Sequence, residues 1–177
     1  MTQYSIKQLS EDDWREYRSI RLSSLKDSPD AFGSTYDVEA AFVQEQWKSR
    51  LRISATMHDA VALMASCDDV SVGLLSAVMH AKSDTSASLY QMWVAPEFRG
   101  AGIGSALIKQ VINWGVARGV TSLKLSVTTI NTEAVSLYQS MGFKSFGSEE
   151  PLRAGSELRT QSMELALGVP NNPAMSR

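Results

Sequence analysis

Polar and apolar residues alternate along Tyr4-Ser5-Ile6-Lys7-Gln8-Leu9, which predicts an opening strand. Ser10, with Asp13 three positions on, reads as a capping box for a helix carrying Trp14, Tyr17, Leu22 and Leu25, and Pro29 closes that region. A second helix is expected from Val43 to Leu51. Asp27 to Tyr36 is then a long polar connection whose Ala31-Phe32-Gly33 centre is the sort of loop that carries binding groups. Strand-like runs follow at Ala60 to Cys67, Val70 to Ala81 and Ala87 to Val94, broken by the acidic turn Asp68-Asp69 and the polar stretch Lys82 to Ser86. They predict an antiparallel meander.

Beyond Pro96 the period changes. Ile103, Leu107, Ile108, Val111 and Ile112 share one helical face, with Ser105, Lys109 and Asn113 opposite. Arg118 and Gly119 supply the cation and the left-handed stop, and Leu123 to Val127 resumes as strand. Asn131 caps a further helix to Met141, where Gly142 terminates it and Phe143 makes the hydrophobic contact beyond. Two last strands, Lys144 to Ser148 and Gln161 to Ala166, bracket a polar excursion from Glu149 to Thr160. Several strands followed by a crossover between Val94 and Leu123 call for an α/β (α+β) fold: a mixed sheet of about six or seven strands with helices on both faces.

At 177 residues and 44% apolar content the chain can close one core, so residues 1–167 are read as a single domain. Gly168 to Arg177, broken by Pro170, Asn171, Asn172 and Pro173, reads as a loose tail. The balance of 17 basic and 19 acidic side chains offers no general attraction for a polyanion, which disfavours nucleic acid as a partner. Cys67 is the only cysteine and there are two histidines, so neither a disulfide nor a structural metal site is expected. No segment reads as a secretory leader or a membrane span, which makes the cytoplasm the default compartment and a membrane partner unexpected.

The chemically informative string is Val94-Ala95-Pro96-Glu97-Phe98-Arg99-Gly100-Ala101-Gly102-Ile103-Gly104-Ser105, set between a strand and a helix N-terminus. Glycines let the backbone expose its amides, and the helix start adds unpaired N–H donors and the positive end of a dipole. Together they make an anion cradle suited to phosphate or diphosphate. A P-loop would need Gly-Lys-Ser/Thr, but Gly104 is followed by Ser105-Ala106. A dinucleotide fingerprint would need Gly-x-Gly-x-x-Gly in an opening unit, and here the spacing is Gly100-x-Gly102-x-Gly104 past mid-chain.

The same string resembles the diphosphate-binding motif of the GNAT superfamily of N-acetyltransferases, and Asn131-Thr-Glu-Ala134-Val-Ser-Leu137-Tyr138 followed by Gly142-Phe143 is similar to that superfamily's second signature. The resemblance implies a GNAT-like acyl-CoA acyltransferase fold whose sheet splays open beyond the Val94 strand. It implies that main-chain groups of Trp93 and Val94 pair with the pantetheine arm of acetyl-CoA, the cosubstrate. Amides from Arg99, Gly100, Ala101, Gly102, Ile103, Gly104 and Ser105 would hold the diphosphate, and Asn131, Ala134 and Tyr138 would share a helical face toward the thioester. Tyr138 is the implied acid: a phenol of pKa about 10 beside the sulfur can protonate a leaving thiolate whose thiol has a pKa of roughly 8.5. The acceptor would be a small-molecule or peptide primary amine, and no metal is implied. A homodimer is common in proteins of this look.

The pattern lacks one part. Many members carry a glutamate on the strand before the phosphate loop, whereas Ala87 to Gln91 holds no carboxylate. Glu39, Glu45, Tyr36 and His80 are candidates to border the amine site, and no base is chosen among them. Arg99 is expected to offer its guanidinium to a phosphate as well, while His58 and His80 read as ordinary edge or turn residues. Trp93 and the Phe32 loop are placed to shape an acceptor pocket. Acceptor specificity is assigned to Asp27 to Tyr36 and Glu149 to Thr160. Two other readings of the cradle are a non-catalytic acyl-CoA sensor or regulatory protein and a nucleotide-binding module.

Overall fold

The computed structural model describes residues 3–56, 59–81 and 85–168. Period-two alternation sorts its strands cleanly: Val61, Leu63, Ala65 and Cys67 enter one core, and Ala62 and Met64 enter the other. A strand that is apolar on both faces must be covered on both. This one, β2 (Ala60–Cys67), pairs antiparallel with β1 (Ser5–Gln8) on one side and β3 (Val70–Val78) on the other. Asp68 and Asp69 both take positive φ (46° and 62°), the geometry that two-residue hairpins favour. β4 (Ser86–Val94) completes the expected meander.

After β4 the chain crosses over through α4 (Ile103–Val116) and returns as β5 (Ser122–Thr128), parallel to β4. The apolar stripe predicted for α4 lies down on the sheet, with Ile103, Leu107, Ile108 and Val111 buried among β2, β3 and β5. α5 (Thr132–Ser140) joins the same face through Tyr138 and Ala134. Gly142, at φ 93°, ends it as expected, and Phe143 is buried beyond with its amide bonded to the Tyr138 carbonyl. On the opposite face α1 (Trp14–Asp27) and α3 (Gln44–Thr56) bury Tyr17, Ile20, Leu25, Trp47 and Leu51 against Met64, Leu74 and Trp93.

The sheet runs β1-β2-β3-β4-β5-β7-β6, where β6 is Lys144–Pro151 and β7 is Arg159–Ala166. Seven strands with helices on both faces match the fold class read from the sequence. Several boundaries differ, among them the end of α3, which runs to Thr56 and past the expected Leu51. β3 stops at Val78 in place of Ala81, because its pairing with β4 reaches only Val78 opposite Ser88. β6 and β7 lengthen into the stretch expected as an excursion, shortening it to residues 152–158. The polar connection after α1 contains a 3-10 turn, Pro29–Ala31, and a short helix, α2 (Tyr36–Ala40), that the sequence reading does not separate from loop.

α2 exists for a tertiary reason. It carries Glu39, 1% exposed, into a bidentate pair with Arg21 (2.8 and 3.1 Å) and a further pair with Arg50 at 2.9 Å. Burial pushes the Glu39 carboxyl up. The hydrogen bond and charge of Arg21, the charge of Arg50 and a bond from Ser34 outweigh that and hold it below its ordinary value.

Candidate active site

β4 and β5 are neighbours for three residue pairs only, Ser86–Ser122, Ala87–Leu123 and Ser88–Lys124. Beyond Ser88 the two strands part, and the edge of β4 facing β5 is left without a strand partner. A bulge falls at this point: Leu74 opposes Trp93 while Ser76 opposes Tyr90, so β4 carries one extra residue. Gln91 sits in it at φ 62°, a conformation rare for a residue with a side chain. The carboxamide holds it there, since its Oε1 accepts from the Tyr17 hydroxyl at 3.0 Å and from Ser76 at 3.3 Å.

Where the strands part lies a cavity of about 380 Å³. β4 contributes Met92, Trp93 and Val94, the loop contributes Phe98, Arg99 and Gly100, and the start of α4 contributes Gly102, Ile103, Gly104 and Ser105. Asn131, Glu133, Ala134, Leu137 and Tyr138 close it from α5, with Ser28 and Ala31 at the far wall. The two sequence signatures therefore meet across one space. Of the expected site residues only Ala101, which is exposed, does not line it.

Gly100 and Gly102 take φ values of 76° and 83°, and a Cβ added to either would meet nothing within 4 Å. The glycines are required by conformation and leave open space in front of the backbone. The first helical hydrogen bond of α4 runs from the Ala106 amide to the Gly102 carbonyl, so the helix does not use the amides of Gly102 to Ser105. Donors of this kind at a helix start fit a phosphate or diphosphate.

Arg99, which lines the cavity, is also engaged within the protein. Its amide already donates to the Pro96 carbonyl at 3.2 Å, which moves the start of the available amides past it. Its guanidinium turns back into the protein, with Nη2 donating to Asp27 at 2.8 Å and Nε to the Val94 carbonyl at 3.0 Å. Asn131 caps α5 by accepting from the Ala134 amide at 3.1 Å, which leaves its side-chain NH2 as the group open to a ligand.

Tyr138 is buried, and its ring packs edge-on against Phe143 at 5.7 Å. Burial raises its phenol above the ordinary value of 10.0, so it is a protonated donor at neutral pH. Among the described residues its hydroxyl has no hydrogen-bond partner, although the ring lines the cavity.

The residues proposed to border an amine do not converge here. Glu39 is locked between Arg21 and Arg50, Glu45 pairs with Arg52 at 2.9 Å, and Tyr36 is exposed on α2. His80, exposed just past the end of β3, bonds Tyr90 (3.1 Å) and Ser88 (3.3 Å) of β4. His58 lies outside the described residues. Glu133 is the carboxylate on the cavity wall, and neither it nor Met92 was singled out from sequence. Met92 had a signal, since it falls two residues before Val94 on the same side of a strand. Glu133 stands inside a recognised signature but at a position where the motif accepts many residues.

Among the described residues no group of three or more His, Cys, Asp or Glu could hold a metal ion, and no helix is long and apolar enough to cross a membrane. The family model described as acetyltransferase (GNAT) family matches residues 6–143. The chain belongs to the GNAT acetyltransferase family. Solved GNAT folds superpose over nearly the whole chain. An acetyltransferase of the GNAT family from Streptococcus pneumoniae gives a TM-score of 0.80 at 23% identity, covering 94% of this chain and 100% of that one. Spermidine N-acetyltransferase from Vibrio cholerae, solved with CoA and spermine, gives 0.74 at 18% identity, with 94% and 96% covered.

Curated relatives align over shorter stretches. Human N-acetylaspartate synthetase is 33% identical over 79 residues, 45% of this chain. Bovine thialysine N-epsilon-acetyltransferase is 41% identical over 54 residues, 30% of this chain. The chain spans about a quarter of the length of the first (26%) and about a third of the second (32%).

Proposed function

We propose that residues 1–167 act as one catalytic domain that transfers the acetyl group of acetyl-CoA to a primary amine by direct attack within a ternary complex. The observation that carries this reading is the Tyr138 hydroxyl, protonated and without a hydrogen-bond partner among the described residues, on the wall of a cavity that also takes in the free edge of β4 and the amides at the start of α4. When bound, acetyl-CoA would supply an activated acyl thioester and a thiol leaving group.

The chain supplies everything else. Amides of Gly102 to Ser105 hold the diphosphate, and the unpaired edge of β4 at Met92 to Val94 takes the place of a strand partner for the pantetheine arm. A main-chain N–H near Val94 aimed at the acetyl oxygen stabilises developing negative charge, a contribution of about 3 kcal/mol for donors of this kind. Tyr138 gives its hydroxyl proton to the departing sulfur. The acceptor must arrive neutral, since an ammonium of pKa about 10.4 has no lone pair. The wall offers Glu133 as its carboxylate, and water can relay the proton from the amine to it.

Release of free thiol with acetyl-CoA and a panel of amines tests the proposal. Acceptor-dependent thiol release supports it. Tight acetyl-CoA binding with no release from amino acids, polyamines, aminoglycosides or peptide N-termini would replace it with a non-catalytic acyl-CoA sensor.

A further inference from the structure

Asp27 stands outside both sequence signatures, yet three donors converge on one of its oxygens. Oδ2 accepts from Trp93 Nε1 at 2.9 Å, Arg99 Nη2 at 2.8 Å and Ser28 Oγ at 2.6 Å. The three sit on different parts of the site. Asp27 ends α1, Trp93 belongs to the parted end of β4, and Arg99 opens the glycine loop. Arg99 also donates Nε to the Val94 carbonyl at 3.0 Å, so both ends of the stretch from β4 to the loop are tied to one carboxylate.

Apolar packing also seats this region, with Phe98 against the core and Gly104 close to Met92 and Val94, but the clasp through Asp27 is the side-chain polar tie between the loop and β4. In front of Gly100 and Gly102 a Cβ would meet nothing within 4 Å, and the 3-10 turn Pro96–Phe98 is held by its backbone bonds to Ala95 and Pro96 and by Phe98 packing on the core. Resting on the acetyl-CoA reading above, we infer that Asp27 is a positioning residue. It sets the distance between the β4 edge, where the pantetheine arm would lie, and the loop amides, where the diphosphate would lie. A cradle that holds two halves of one ligand gains affinity only when their spacing is right.

The carboxylate is suited to this work. Burial raises its pKa, and the hydrogen bonds from Ser28 and Trp93 with the charge and bond of Arg99 more than offset that, keeping Asp27 ionised below the usual carboxylate range. The arrangement also commits the Val94 carbonyl to Arg99, leaving the pantetheine arm to the other main-chain groups of that edge. Because Ser28 and Ala31, immediately after Asp27, line the cavity, the same carboxylate sets where the connection toward α2 begins.

The test measures binding to the full chain by calorimetry with two ligands: intact CoA and 3′-phospho-ADP, which has the diphosphate but no pantetheine arm. Asp27→Asn should weaken intact CoA about tenfold, the size of one charge-assisted hydrogen bond. The same change should weaken 3′-phospho-ADP by no more than about twofold. In an Arg99→Met background, Asp27→Asn should cost less than about twofold more, because the pair acts as a unit. Equal weakening of both ligands, additive losses with Arg99→Met, or unaltered CoA binding would overturn the inference. Wild-type protein that binds 3′-phospho-ADP but gains nothing from the pantetheine arm would instead remove the acetyl-CoA reading on which it rests.

Discussion

Loss of the Tyr138 hydroxyl leaves the aromatic ring, its contact with Phe143 and the cavity wall in place. Tyr138→Phe should therefore lower kcat by about a hundredfold, the lower end of general-acid contributions, with acetyl-CoA affinity nearly constant. Steady-state kinetics with a fixed amine checks this. Burial raises the phenol above 10.0, so its proton is present throughout the working range, and kcat should show no descending limb from Tyr138 below that value. Glu39 makes a contrasting case, since the pair of arginines around it is structural. Its folded pKa lies below the ordinary 4.5, so the stability it contributes is complete above that value and is lost as pH falls through the folded one. Glu39→Gln leaves Arg21 and Arg50 without their counter-charge and should cost about 3–5 kcal/mol in urea unfolding. The acid-side decline in stability should be shallower in the variant than in the wild type.

Elements that declare themselves by period or by caps were legible in the sequence, and the ones that depend on distant partners were not. α4 follows from five apolar positions on one face, and α5 from Asn131 and Gly142, because these signals lie within the element. α2 has five residues and a cap bond of 3.5 Å that the Val38 amide donates to Thr35 Oγ1, too little to stand alone. What holds it is a carboxylate that finds arginines on two other helices, a relation no local pattern encodes. The site divides in the same way: both signatures could be read, whereas the clasp from Asp27 joins residues 66 and 72 positions apart. Gly102 was legible as a residue that keeps side chains off an approachable backbone, while its positive φ was not. No protein atom fills the space before it; its backbone takes φ 83° and faces open volume. Gly102→Val would bring conformational strain of about 1–3 kcal/mol and a side chain into that volume. CoA affinity measured by calorimetry should fall by at least about a hundredfold, the strain and the lost approach acting together.

On the scale of the molecule, a ligand that spans the gap between β4 and β5 should stabilise the chain by mass action. CoA at a hundred times its dissociation constant contributes about 2.7 kcal/mol, which for a chain of this length raises the melting temperature by roughly 5–10 °C. ATP or NAD at the same concentration should leave it nearly unchanged, and protection by either would favour a nucleotide-binding module. A different consequence comes from strand order. β7 follows β6 in the chain, yet it lies between β5 and β6, pairing with β5 along its full length from Ser122–Ala166 to Thr128–Thr160. Until the ribosome has released residues 159–166, β5 and β6 have no common neighbour to bring them together. A nascent chain can assemble its first four strands early, but β5 and β6 have to wait for residues 159–166, and a chain truncated before Arg159 should be unable to complete its sheet.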